Sequence, residues 1–362
     1  MKASILGGLS LLGVSYCSFA LAADLPGEPA ARQIPQIATF SIVARDPQTG
    51  DYGVAVQSRY FAVGAVVPHA AADTGAIATQ ARGNLLYGPH GLALLDKGLP
   101  ADDVIERLLA PDTLRDERQL GVIDRAGKAA TYTGAKCLSW AGGRTGTNYA
   151  VQGNLLAGPQ VVDAMATAFE VAPGDFPTRL VYALSAGQAA GGDARGRQSA
   201  ALLVVRKNGG YLGLTDRFID LHVEDHPTPI RELARLLRIR QAQLESEQAD
   251  SLLLQAEKAA SDRRAALLGE ARTLMLDALE KHPSDDHGWW LLARIHVKEG
   301  QPQAAALAAE RALLENPTWR HLSATNRASL GVSAELLDAL LQVDSFDRVW
   351  TSLAPAAAVG VQ

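Results

Sequence analysis

The chain has 362 residues, 48% hydrophobic and 20% charged, with a formal net charge of -5. That is enough for two domains and a sizeable core. The mild acidity and the lack of any Lys/Arg block exclude nucleic acid as the main partner, because phosphate binding needs clustered cations.

Taken in chain order, Lys2 and the apolar run 5–22, ending Ala20-Leu21-Ala22, read as a secretory signal (1–22) cleaved before Ala23. This predicts a periplasmic or secreted protein with no membrane span after signal removal. Cys17 leaves with the signal, so Cys137 has no intramolecular partner and reads as a small core residue. Residues 23–38, with Pro26, Pro29 and Pro35, read as a pro-segment or linker.

From residue 39 the pattern becomes one of strands. Residues 39–46 and 52–58 flank the turn Pro47-Gln48-Thr49-Gly50 as a hairpin. The apolar runs 62–67 and 75–80 suit a sheet covered on both faces. Helical spacing is expected over 88–97 and 101–109, then a hairpin over 119–124 and 128–133, and a strand over 149–154. Helices follow over 160–169 and 176–188. The glycine-rich loop Gly191-Gly192-Asp193-Ala194-Arg195-Gly196-Arg197 leads to strands over 199–205 and 211–221. This order predicts an α+β sandwich with helices packed outside a mainly antiparallel sheet system.

His226-Pro227-Thr228-Pro229 marks a boundary, and 227–256 reads as a linker helix. Over 257–345, Trp289, Leu292, Ala293, His296, Ala305, Ala309, Ala312 and Pro317 follow the spacing of one tetratricopeptide repeat. Ala271, Met275, Ala278 and Pro283 supply half of a preceding one, although His296 and Ala309 stand where aromatics are usual. A helix over 334–341 caps this small all-α domain, and 346–362 reads as a tail. Such helices offer a surface for a protein partner or for self-association.

Hydrolase elbows, zinc-protease helices, Walker loops and dinucleotide fingerprints are missing from the sequence. Gly142-Gly143-Arg144-Thr145-Gly146 reads as a turn, and His222 with His226 as a strand end rather than a metal site. No cofactor and no metal are expected. Polar residues instead gather where strands end: Ser58-Arg59, Thr79-Gln80, Gln152-Gly153-Asn154, and Asp193, Arg195, Arg197 and Ser199. Polar groups at strand ends tend to line a cleft.

Those stretches carry a resemblance. Thr39-Phe40-Ser41-Ile42-Val43-Ala44-Arg45-Asp46, Gly53-Val54-Ala55-Val56-Gln57-Ser58-Arg59, Ala78-Thr79-Gln80-Ala81, Tyr149-Ala150-Val151-Gln152-Gly153-Asn154, the 191–200 loop and Asp225-His226-Pro227 resemble the family called domain of unknown function 1028. The family is placed in the Ntn-hydrolase superfamily, and the likeness spans 39–226. It implies a four-layer αββα Ntn-hydrolase-like sandwich. It also implies Thr39 as an N-terminal nucleophile, whose freed α-amine takes the hydroxyl proton as Oγ1 attacks an amide carbonyl. Here 23–38 precede Thr39, so a second cut at Ala38–Thr39 is required. On this reading the substrate is a small-molecule or peptide amide. Asp193 and Ser199 orient the amine, and Arg59 or Arg197 lowers its pKa or binds a substrate carboxylate. Thr79, Gln80 and Asn154 lie near an oxyanion hole, with Ser58 and Arg195 among the substrate-binding residues. The alternative is a non-catalytic ligand-binding or partner-docking protein that keeps the fold.

Overall fold

A computed structural model of the protein describes residues 38–352. The expected signal, nearly all of the pro-segment and the end of the tail lie outside the described residues. Two antiparallel sheets form the first half. One contains β1 (Thr39–Arg45), β2 (Tyr52–Ser58), β7 (Gly142–Gly146), β8 (Tyr149–Asn154), β9 (Ser199–Val205) and β10 (Arg217–Val223), in the order β10-β9-β2-β1-β8-β7. The other contains β3 (Pro68–Ala71), β4 (Gly75–Ala81), β5 (Arg118–Ile123) and β6 (Ala129–Thr133), in sequence order.

Strand periodicity explains the layering. Alternate residues point to opposite faces. Val43, Val54, Val56, Ala150, Ala201 and Leu203 meet Ala76, Ala78 and Ile123 between the sheets. Phe40, Ile42, Ala44, Val151, Leu202 and Val204 point outward, onto α3 (Gln160–Val171) and α4 (Phe176–Ala189). Ile77, Leu120 and Val122 are covered by α1 (Tyr87–Asp96) and α2 (Ala101–Leu109). Both sheets are thus buried on two faces, which is why β1, β2, β4 and β9 read as nearly continuous apolar runs.

The helix α5 (Pro229–Lys258) belongs to two cores. Ile230, Leu233 and Leu237 pack on the six-stranded sheet, whereas Ala242, Ala249, Leu252, Leu253 and Ala256 join the helical core. That core continues through α6 (Ser261–Lys281), α7 (Asp286–Lys298) and α8 (Pro302–Glu315), and closes with α9 (Ala324–Ser329), α10 (Ala334–Leu341) and α11 (Asp344–Ser352). Ala271, Ala305, Ala309 and Ala312 are fully buried. Their small side chains let neighbouring helices approach closely.

Four expectations are corrected. Residues 62–67 are not a strand. Ala62 takes a left-handed conformation (φ 55) and a short 3-10 turn covers Val63–Ala65, with Val63 and Val67 filling the core between the sheets. Gly142–Gly146 is an edge strand rather than a turn, paired with β8 through a two-residue connection in which Asn148 is left-handed (φ 64). Residues 211–213 form a 3-10 turn, so the last strand starts only at Arg217. Residues 346–352 are helical, and Phe346 stacks on Trp350 inside the helical core.

Candidate functional site

The strand order brings several chain ends to one edge of the sandwich. Thr39, the first residue of β1, lies opposite Ser58 at the end of β2 and Asn154 at the end of β8. Ser58 in turn lies opposite Ser199, the first residue of β9. Thr39, Ser58, Asn154 and Ser199 are all fully buried. Alternation turns Thr39, Ser58 and Asn154 toward the space between the sheets, in line with Val43, Val56 and Ala150.

The carbonyl of Ala38, on the bond preceding Thr39, sits in a two-donor cradle. The Ser58 hydroxyl donates to it at 2.5 Å and Arg195 Nη2 at 2.9 Å. The Thr39 hydroxyl donates to Ser58 Oγ at 3.2 Å. Arg195 is aimed by Asp193, which is fully buried as a side chain and accepts from Arg195 Nε at 3.2 Å and Nη2 at 3.0 Å. Asp193 also accepts the backbone N–H groups of Arg59 and Arg195, each at 2.9 Å. The carboxylate thereby ties the end of β2 to the glycine-rich loop.

Beneath Thr39 lies a buried amide network with a defined direction. Gln119 Nε2 donates to the Gly153 carbonyl at 2.7 Å and to Thr133 Oγ1 at 2.9 Å, which fixes its amide. Its Oε1 then accepts from Gln80 Nε2 at 2.8 Å and Asn154 Nδ2 at 3.0 Å. Gln80 Oε1 accepts from Ser41 Oγ at 2.6 Å, and Ser41 Oγ from Gln152 Nε2 at 2.7 Å. Gly121 on β5 makes room for Gln152, since a Cβ there would fall 2.2 Å from Gln152 Oε1. With its Nδ2 committed to Gln119, Asn154 holds Oδ1 buried without a hydrogen-bond partner among the described residues. That acceptor belongs to the residue directly across from Thr39.

Backbone strain gathers at the same edge. Ala81 ends β4 with φ 64, Leu155 follows β8 with φ 49, and Ala62 lies in the loop leaving β2 with φ 55. None is Gly, Asn or Asp, the residues that tolerate this region. Such strain recurs where a fold fixes a site.

Of the expected site residues, Thr39, Ser58, Asn154, Asp193 and Arg195 converge on the Ala38–Thr39 bond, with Gln80 behind them. Two are placed otherwise. Ser199 Oγ donates to the Tyr60 carbonyl at 2.5 Å and accepts from Val63 N at 3.1 Å, so it holds the loop after β2 rather than the Thr39 amine. Thr79 shares the outer face of β4 with Ile77, and its hydroxyl binds the Asn84 carbonyl at 3.3 Å, away from Thr39. Arg59 and Arg197 stand at the rim, both exposed. Ser41 and Gln119 are additions. Cys137 is half-buried and donates to the Arg118 carbonyl, and burial pushes its thiol pKa up. His222 is held between Asp220 and Glu224, and no cluster of three metal-ligating side chains occurs among the described residues.

An antiparallel two-sheet α/β unit with a polar strand-end site and a helical extension is the class of protein that the fold defines. The chain belongs to the family of unknown function DUF1028, which matches residues 39–233. Among solved structures it is similar to the crystal structure of protein SPO2555 from Silicibacter pomeroyi, itself of DUF1028. The two are 32% identical with a TM-score of 0.51, over 56% of this chain and 88% of that one. No curated protein matches.

Proposed function

We propose that the protein is an exported Ntn-type amidohydrolase in which Thr39 becomes the N-terminal nucleophile once the residues before it are removed. The observation that carries this reading is the cradle on the Ala38 carbonyl oxygen. A hydroxyl and a guanidinium on one carbonyl oxygen favour the negative charge that develops there when the carbon is attacked. The attacking atom is Thr39 Oγ1, and its hydrogen bond to Ser58 gives its proton a first acceptor.

Removal of the leader is then an N-to-O acyl shift. Thr39 Oγ1 bonds to the Ala38 carbonyl carbon, the bond from that carbon to Thr39 N breaks, and the nitrogen gains the proton lost by Oγ1. Water hydrolyses the resulting ester, leaving a carboxylate on Ala38 and a free α-amine on Thr39. In turnover the amine is the base. It takes the Oγ1 proton as Oγ1 attacks the substrate amide, and passes it to the leaving amine before water cleaves the ester. The unpartnered Asn154 Oδ1 is suited to accept from the ammonium form of that amine.

The two sheets with helices on both outer faces support the reading of a four-layer αββα Ntn sandwich, and the paired helices α6 to α8 that of a tetratricopeptide-like array. The array is the surface for a protein partner or self-association. The segment 1–22 makes the destination periplasmic or secreted. The test is a screen of purified protein against small amides and peptides. Thr39→Ala is expected to lose at least about 10³ in turnover, whereas Thr39→Ser keeps measurable activity. Equal turnover by wild type and Thr39→Ala would remove Thr39 from the chemistry.

A further inference from the structure

Two arginines near the buried cradle are not neutralised by any described residue. Arg195 is engaged by Asp193 and the Ala38 carbonyl. The guanidinium groups of Arg59 and Arg197 have neither an ion pair nor a hydrogen bond among the described residues. Backbone hydrogen bonds tie together the two segments that carry them. Arg59 N is bound to Asp193, and Gln198 N to the Ser58 carbonyl at 3.1 Å, which clamps the loop carrying Arg197 against the end of β2. Gly196, next to Arg197 in the chain, lets the Arg59 guanidinium lie against that loop. It adopts φ +111, and a Cβ there would sit 3.3 Å from Arg59 Nη1.

Arg197 also joins two clefts. One, of about 830 Å³, is lined by Arg195, Asp193 and Gln188, and the other, of about 420 Å³, by Gln188, Thr228 and Arg231. Among the described residues Asp193 is the one carboxylate lining either of them, and it is occupied. Gln188 lines both and holds a buried Oε1 without a partner among the described residues, an acceptor for a ligand N–H. Unpaired like charges repel, and their electrostatic cost is relieved when an anion binds. Planar guanidinium groups match carboxylates through two parallel hydrogen bonds.

We propose that Arg59 and Arg197 form the anchoring site for a carboxylate, so that the amide acted on is an anionic one. Its scissile carbonyl occupies the Ser58–Arg195 cradle while its carboxylate rests on Arg59 and Arg197. The choice of substrate class rests on the amidohydrolase reading, but the anion site does not. The side chains bound to the Ala38 carbonyl are Ser58 and Arg195 rather than these two arginines, so binding can be read on the full chain.

The probe is glutarate, titrated by calorimetry at low ionic strength and compared with the uncharged glutaramide. Glutarate is expected to bind at least roughly tenfold more tightly, and Arg59→Ala or Arg197→Ala to weaken it by a further factor of roughly ten each. Arg59→Lys and Arg197→Lys should keep part of the affinity, and Arg125→Ala, on a remote loop, all of it. Binding should weaken as salt rises. Equal affinity for the two probes, no glutarate binding at millimolar concentration, or unchanged affinity in the folded Arg59/Arg197 double variant would overturn the proposal. Charge-dependent binding without hydrolysis of any amide would sustain the anion site and break the amidohydrolase reading.

Discussion

Between the two sheets, Thr39, Ser41, Gln80, Gln119, Gln152 and Asn154 are sealed from solvent at 1% exposure or less. The helical half, from α6 to α11, buries no polar or charged residue to that degree among those described. It closes instead on alanines, leucines, Trp290, Trp319 and Phe346. An apolar interior is the simpler solution, because each buried amide must find its partners or cost free energy. The helical half therefore behaves as packing. The layered half accepts a demanding polar interior under a single strand end, and Gln119 and Gln80 hold Asn154 and Ser41 in fixed orientation there. A network of this kind confers geometry more than stability.

The contrast can be broken most forcefully in the helical core. Trp290 is 1% exposed and packs against Trp319 and Phe346. Trp290→Ala should cost about 3–5 kcal/mol in urea unfolding while leaving processing at Thr39 intact. A loss under about 1 kcal/mol would mean that the helical core is not the packed unit described. The next effect is polar. Gln119→Leu strands the Asn154 amide donor, leaves Gln80 Nε2 only its 3.4 Å contacts to the Thr39 and Gln152 carbonyls, and should cost about 3 kcal/mol. Unlike the tryptophan change, it should also slow the chemistry at Thr39. If stability fell and processing did not, the network would be structural only.

The smallest effect belongs to the outer face of the four-stranded sheet. Burial works against ionisation of Asp112, but hydrogen bonds from Arg118 at 2.8 Å and Tyr87 at 2.5 Å prevail and hold its pKa at about 2. The folded value is depressed below the ordinary 3.8. Its stabilisation is therefore complete above the unfolded pKa and lost as pH falls from about 4 to about 2. It amounts to about 2 kcal/mol. Asp112→Asn should make the urea midpoint fall less across that window than it does in the wild type, where other carboxylates with lowered pKa values, such as Asp220 and Asp286, also contribute. An equal fall in wild type and variant would contradict the assignment.

Much of this was legible in the chain. The β1–β2 hairpin shows in its apolar runs and the Pro47–Gly50 turn, and the site residues in the polar groups that end those runs. Gln119 was not legible, because its role depends on the β4–β5 register that sets it opposite Gln80. Its own strand shows nothing to separate it from an ordinary edge glutamine. Ser199 misled for the complementary reason. It lies beside Ser58 in the sheet, yet its hydroxyl is taken by the loop above it. Gly142–Gly146 reads as a turn because glycine is poor in strands. Pairing with β8 makes it a strand, and the missing side chain at Gly143 leaves room for Thr131 across the gap.

The most direct measurement is the N-terminus of the purified protein, by intact mass and N-terminal sequencing, for wild type, Ser58→Ala and Thr39→Ala. Wild type should begin at Thr39, Ser58→Ala should mature more slowly, and Thr39→Ala should retain the residues before position 39. A wild-type chain that begins only at Ala23, or a Thr39→Ala chain cut at the same bond at the same rate, would contradict Thr39 as the nucleophile.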